Sequence, residues 1–419
     1  MTRTGQHQRC ISALAIGAMF VTAVIGTPMV GAQTYTVLHR FKGSPTDGAY
    51  PFGPLTGDSA GNLYGTTGSG GASNAGVVFK LAKAGEILLY SFTGGEDGKD
   101  PNGVIRDLAG NLYGATYAGG ASGYGAVFEL DRTGTETVLY SFRGGADGAL
   151  PNGGMVQDPA GNLYGTTVSG GLFLCSGYGG SGGGPCGVVF KVDTAGTEEV
   201  LYSFTGGADG WEPSAGPIGD SAGNLYGTDY INYGVCCGVV YKLDDTGKFT
   251  VLYTFLGGAD GANPAASLIR DSAGNFYGTT VHGGIDGDDC SIPFQTGCGV
   301  VFKLDTTGTE TVLYSFTGGA DGANPSAGLI RDAAGNLYGT TPNGGIFNST
   351  CTAGCGVVFK LDTAGKETVL YSFTGGADGA YPYALIRGPA GNFYGTAYNG
   401  GIVNSTCTSG CGVLFMLQP

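Results

Sequence analysis

The feature that most constrains this chain is a phrase, Gly335-Asn-Leu-Tyr-Gly-Thr-Thr341, repeated with little change seven times. Its asparagines are Asn62, Asn111, Asn162, Asn224, Asn275, Asn336 and Asn392. Each copy sits in a longer unit: a Val-Leu-Tyr-Ser-Phe run, Gly-Gly-Ala-Asp-Gly, a Pro, Leu-Ile-Arg-Asp, the phrase, and Gly-Val-Val-Phe-Lys-Leu-Asp. Units of about 55 residues are too long for solenoid coils and suit four short strands. Glycine accounts for 85 of 419 residues, about three times the usual share. It falls between apolar runs, where tight turns need it.

The unit from Leu329 to Phe373 parses into four strands. Strand A is expected at 329–332, strand B at 336–341, strand C at 356–361 and strand D at 367–373. Asp332 to Gly335 and Asp362 to Gly365 carry turn chemistry between them. Alternation along strand D places Val369, Tyr371 and Phe373 on one face, and the repeated aromatics are expected to fill the core. The class that follows is all-β: a seven-bladed β-propeller of four-stranded antiparallel blades. The last unit ends on a strand C, and Tyr35–Phe41 is a strand D with nothing before it. The N-terminal strand is therefore expected to close the last blade and remove two open edges.

Residues 1–32 read as a secretory signal peptide, with Arg3, His7 and Arg9 before an apolar stretch and Val30-Gly-Ala32 before the cut. Residues 33–419 then form the propeller, a secreted chain, extracellular or periplasmic, without a transmembrane segment and expected as a monomer. The formal charge of −14 repels phosphate backbones and argues against nucleic acid as a partner.

The long motifs Leu-Tyr-Ser-Phe-Thr-Gly-Gly-Ala-Asp-Gly, Ala-Gly-Asn-Leu-Tyr-Gly-Thr-Thr and Gly-Val-Val-Phe-Lys-Leu resemble the tandem repeat of the choice-of-anchor tandem repeat GloVer-containing (Gloeo/Verruco repeat) exported bacterial proteins. The resemblance spans nearly all of residues 35–417. It implies export, and members often end in a cell-envelope anchor, which is not visible before Pro419.

In a propeller the D-to-A and B-to-C loops share one face, and here they carry the variation, as at Tyr50, Asp100, Leu150, Glu212, Asn263, Asn324 and Tyr381 just before the Pro. Binding is expected on this loop face, with Trp211, Asp209, Glu212, Tyr50, Tyr381, Phe294 and Tyr398 as the candidate ligand-binding residues. The seven loop acids Asp47, Asp97, Asp147, Asp209, Asp260, Asp321 and Asp378 read as caps of their turns rather than as a calcium ring, since each loop offers one carboxylate. Arg106, Arg270, Arg331 and Arg387 share one strand-A position, either as an anion site in the central channel or as partners of acids such as Asp107, Asp271 and Asp332. Local disulfides are expected at Cys175–Cys186, Cys290–Cys298, Cys351–Cys355 and Cys407–Cys411, with Cys236-Cys237 either a vicinal bridge or two thiols. Zinc at Cys351/Cys355 is the competing chemistry, but no His lies nearby. No catalytic motif, cofactor motif or metal site is indicated. The leading reading is a binding module for glycan or cell-envelope material. The alternative is an extracellular polysaccharide-active enzyme, hydrolase or lyase, that uses carboxylates of the same face.

Overall fold

The computed structural model describes residues 33–175, 184–230, 237–285, 290, 297–388 and 390–418. The proposed signal peptide, Cys236 and Phe294 lie outside them. The described chain forms seven four-stranded antiparallel sheets in a ring, a seven-bladed β-propeller. Blade six shows the plan: strand A Ile330–Arg331, B Leu337–Thr341, C Val357–Leu361 and D Glu367–Ser372. Blades one to five run over Gly48–Ser91, Lys99–Ser141, Ala149–Ser203, Ile218–Thr254 and Ile269–Ser315. Blade seven takes Ala380–Gln418 from the C-terminus and Thr34–Arg40 from the N-terminus as its outer strand. Tyr35 pairs with Leu417 and Arg40 with Val413, so the ring is closed by its own head.

The repeated phrase is explained residue by residue. The Asp332 carboxylate accepts bonds from the Asn336 backbone N–H and side-chain amide, both at 2.8 Å, and from the Tyr338 hydroxyl at 3.0 Å. Gly335 has φ +92°, the left-handed conformation that glycine takes without steric cost. Leu337 and Tyr338 then point into successive inter-blade cores, as strand alternation requires. Gly339 has another reason to be glycine. A Cβ there would stand 2.7 Å from the Phe359 ring, the buried aromatic of strand C. Thr340 donates to the Tyr383 carbonyl of the next blade at 2.7 Å. One phrase thus closes a turn, fills two cores and ties two blades.

Strand D departs from simple alternation. All seven copies carry a register shift, in blade six between the pairs Phe359–Val369 and Val358–Tyr371. A bulged residue turns the strand's following side chains over. Val369 therefore packs in the core toward blade five, whereas Leu370, Tyr371 and Phe373 pack toward blade seven. The expectation of one shared face for Val369, Tyr371 and Phe373 is corrected accordingly.

Acidic side chains also meet across adjoining units. Glu136, Glu198, Glu310 and Glu367 open their strands beside Asp97, Asp147, Asp260 and Asp321 of the preceding unit, and each has a carboxylate oxygen shielded from water without a bonding partner. Burial, then the neighbouring aspartate, raises each from its ordinary 4.5 to about 7. A raised carboxyl pKa means that the folded state holds more protons than the unfolded one. This contribution is complete below about pH 4.5 and is lost as pH rises through 7. The turn acids act in the opposite sense. Burial of Asp58 is outweighed by bonds from Asn62, Tyr64 and Ala60, which hold it at about 2, so its contribution is lost only in strong acid. The melting temperature is therefore expected to be higher at pH 5 than at pH 8. Replacing all four glutamates by Gln should flatten that slope; a slope that persists in the quadruple variant would show that these groups do not cause it.

Candidate functional site

Each loop-face residue that precedes the Pro adopts positive φ, from 55° at Asp100 to 61° at Glu212. Seven non-glycine residues in this region at one structural position demand a cause, and the cause is a clasp between blades. The backbone N–H of Tyr50, Asp100, Leu150, Glu212, Asn263, Asn324 and Tyr381 donates to the carbonyl that precedes strand C of the previous blade, at 2.8–3.2 Å. The following Pro covers the glycine that opens that strand C. A Cβ on that glycine would stand only 2.4–2.9 Å from the Pro Cδ, as for Gly356 and Pro382.

The candidate ligand residues divide into two groups. Tyr50 and Tyr398 meet at the seam of blades seven and one, with ring centroids 5.0 Å apart, and Phe52 and Tyr383 complete the cluster at 4.2 Å. Tyr381 is half-buried in the core between blades six and seven. Trp211, Asp209 and Glu212 belong to blade four and the loop leading into it, across the ring. Trp211 packs on the core with Cys175 and Phe204, and its backbone N–H donates to Asp229 at 2.8 Å. Asp209 is buried and accepts from the Tyr202 hydroxyl at 2.9 Å and from the Thr205 backbone and hydroxyl. The same capping holds Asp97, Asp321 and Asp378, so these acids are spoken for by their turns. Glu212 alone of the predicted acids is exposed.

A position missed in the sequence lies just after the Pro. Phe52, Asn102, Asn152, Ser214, Ala265, Ser326 and Tyr383, one from each blade, converge on the axis around a cavity of about 210 Å³. No lining residue is charged. The available signal was a second varied position on the C-terminal side of each Pro. The strand-A arginines do not reach this cavity. Arg270 bonds Asp220 of the preceding blade at 3.3 Å, rather than its neighbour Asp271, and lies over the Tyr226 ring. Arg106, Arg331 and Arg387 likewise lie over Tyr64, Tyr277 and Phe393. Each of the four guanidiniums is thus placed against an aromatic ring of the neighbouring strands.

Around the axis, the B-to-C loops expose Leu172, Phe173, Leu174, Ile285, Ile346, Phe347 and Val403. Disulfides Cys175–Cys186, Cys290–Cys298, Cys351–Cys355 and Cys407–Cys411 brace these loops, with Cα atoms 5.1–5.3 Å apart. Cys237 is disulfide-bonded as well. No helix among the described residues is long and apolar enough to cross a membrane.

The Gloeobacter/Verrucomicrobia repeat model matches residues 23–179, 172–349 and 294–419. The chain belongs to this repeat family. Among curated proteins no sequence matches it. Solved structures that share the fold include the extracellular domain of BT3049, described as a hybrid two component system of B. thetaiotaomicron (12% identity, TM-score 0.55, covering 92% of this chain and 41% of that one). A second such domain, of BT4673, has 10% identity and a TM-score of 0.54, over 90% and 39% of the two chains. PorZ, a surface component of the Porphyromonas gingivalis type-IX secretion system, has 14% identity and a TM-score of 0.53, over 89% and 47%. This family member spans less than half the length of each of these proteins, and at these identities the likeness is one of fold.

Proposed function

We propose that the chain is a secreted propeller that binds uncharged glycan or cell-envelope material on its loop face. The observation that carries this reading is the axial cavity, walled by Phe52 and Tyr383 beside Asn102, Asn152, Ser214 and Ser326. Aromatic rings offer a flat apolar surface to a sugar, amides and hydroxyls match its hydroxyl groups, and an uncharged wall suits an uncharged ligand. The volume is below the roughly 300–1,000 Å³ of a drug-sized site, so it suits one projecting unit of a larger ligand, with the exposed apolar loops meeting the remainder. The buried disulfides and the extracellular setting of BT3049 and BT4673 support export. The alternative, carboxylate catalysis, is less well supported because the loop acids already cap turns.

A glycan array and a reducing-sugar release assay on the purified chain test the choice, with binding and no sugar release expected. Tyr398→Ala and Asn152→Ala should each weaken binding about two- to tenfold, since ring stacking and a paired polar contact are each worth on the order of 0.5–1.5 kcal/mol. Their melting temperatures should stay near that of the parent. Trp211→Ala should do the reverse, lowering stability by about 2 kcal/mol through lost packing while leaving affinity unchanged. Loss of binding confined to Trp211→Ala would move the site to blade four.

A further inference from the structure

Six of the seven strand-D outer positions that face the capped aspartate are tyrosine; at the closing seam the residue is His39. The loop residue that supplies a hydroxyl in most other blades, Thr93 or Thr205 for example, is Lys42 here. Asp47 has thereby lost both hydroxyl donors of the common arrangement. Its Oδ2 instead stands 3.1 Å from His39 Nε2 and accepts from the Lys42 backbone N–H at 3.0 Å, while Oδ1 accepts from Gly48. Glu86, from strand D of blade one, completes the group, and the three donor atoms lie within 4.8 Å of one another. Glu86 Oε1 is shielded from water and has no bonding partner. The imidazole is held edge-on against Phe41 at 4.7 Å, as Tyr90 is against Phe92.

We infer that His39, Asp47 and Glu86 form a binding site for a divalent transition-metal ion, zinc being the best match, that clips the N-terminal strand to blade one. One imidazole nitrogen and two carboxylates are a donor set that zinc accepts, with metal–ligand distances of about 2.0–2.2 Å. Two ligands at such distances stand about 3.3–3.6 Å apart at the tetrahedral angle, so the 3.1 Å between His39 Nε2 and Asp47 Oδ2 has to widen by only a few tenths of an ångström. The ion would satisfy Glu86 Oε1 and neutralise two carboxylates at the one seam with a nitrogen donor. The other seams with a Glu and Asp pair offer a phenol, a poor ligand at neutral pH, and serve as internal controls. Sequence spacing alone hides the site, because Glu86 is brought to His39 only when the ring closes.

The test is zinc binding to the chelator-stripped, purified chain, followed by titration calorimetry and native mass spectrometry. One ion per chain is expected, with a rise of a few degrees in melting temperature at a hundredfold excess over Kd. H39Y restores the arrangement of the other seams, so it should fold and should weaken zinc binding by at least about tenfold. Glu86→Gln, nearly isosteric, should weaken binding while keeping the fold, and decides the matter if H39Y does not fold. A parent chain that takes up no zinc, or variants that bind it as the parent does, would overturn the site. The loop-face reading is independent of either result.

Discussion

A chain starting at Lys42, without the strand Thr34–Arg40 and Phe41, is expected to lose its single cooperative unfolding transition and to aggregate. The strand serves two interfaces at once. Tyr35 and Val37 pack toward blade six, and Leu38 and Phe41 toward blade one. Tyr35 stacks on Tyr371 with centroids 3.9 Å apart, and Phe41 is wholly buried. At roughly 1.5–3 kcal/mol for a fully buried large apolar side chain, Phe41 together with the half-buried Tyr35, Val37 and Leu38 amounts to about 4–8 kcal/mol. That is comparable to the whole stability of an ordinary domain, about 5–15 kcal/mol. Removal also bares the edge of Val413–Gln418, its hydrogen-bond partner, which is then free to pair with other chains. Calorimetry and size-exclusion chromatography of the truncated chain check this, and a synthetic 33–41 peptide should restore the transition in trans. A soluble, monomeric truncation that melts like the parent would contradict closure as the source of cooperativity.

The second large effect is expected at the clasp. Gly356→Ala should cost about 3–5 kcal/mol, the upper end for a single substitution. Its new Cβ would stand 2.4 Å from the Thr341 carbonyl oxygen and 2.5 Å from Pro382 Cδ, on a residue whose φ is +89°. Neither neighbour can give way: one is the backbone of a central strand, and the other is a ring that seals the next blade. Gly247→Ala separates the two sources of strain. Gly247 has φ +83°, but its Cβ would meet nothing within 4 Å, so only the left-handed backbone cost of about 1–2 kcal/mol should appear. Denaturant titrations of both variants give the difference directly. Equal losses would mean that the Pro-on-Gly contact is not what holds adjacent blades.

Much of this was legible before any coordinates. Strand positions in blade six fell within a residue or two of those observed, because turn chemistry and strand period act over a few neighbours. The capping role of Asp209 was readable in the same way, since Thr205 lies four residues before it and Tyr202 seven. The arginines were less so: Arg270 reaches Asp220, fifty positions earlier, and no local rule selects that acid over the adjacent Asp271. Trp211 reads as a contact residue because it sits in a varied loop, and no local rule shows that its half-buried ring also packs against the core of its own seam.

The sequence by itself determined the number of blades, the class of fold and the two kinds of loop face, since repetition, glycine placement and alternation are properties of nearby residues. Only the tertiary structure decided which positions meet. The bulge in strand D divides its side chains between two interfaces, and the post-proline residues of seven separate units converge on one axis. Ring closure sets His39 beside Glu86. Each of these depends on the angle between blades, which arises from the summed packing of the whole ring and is written in no single repeat.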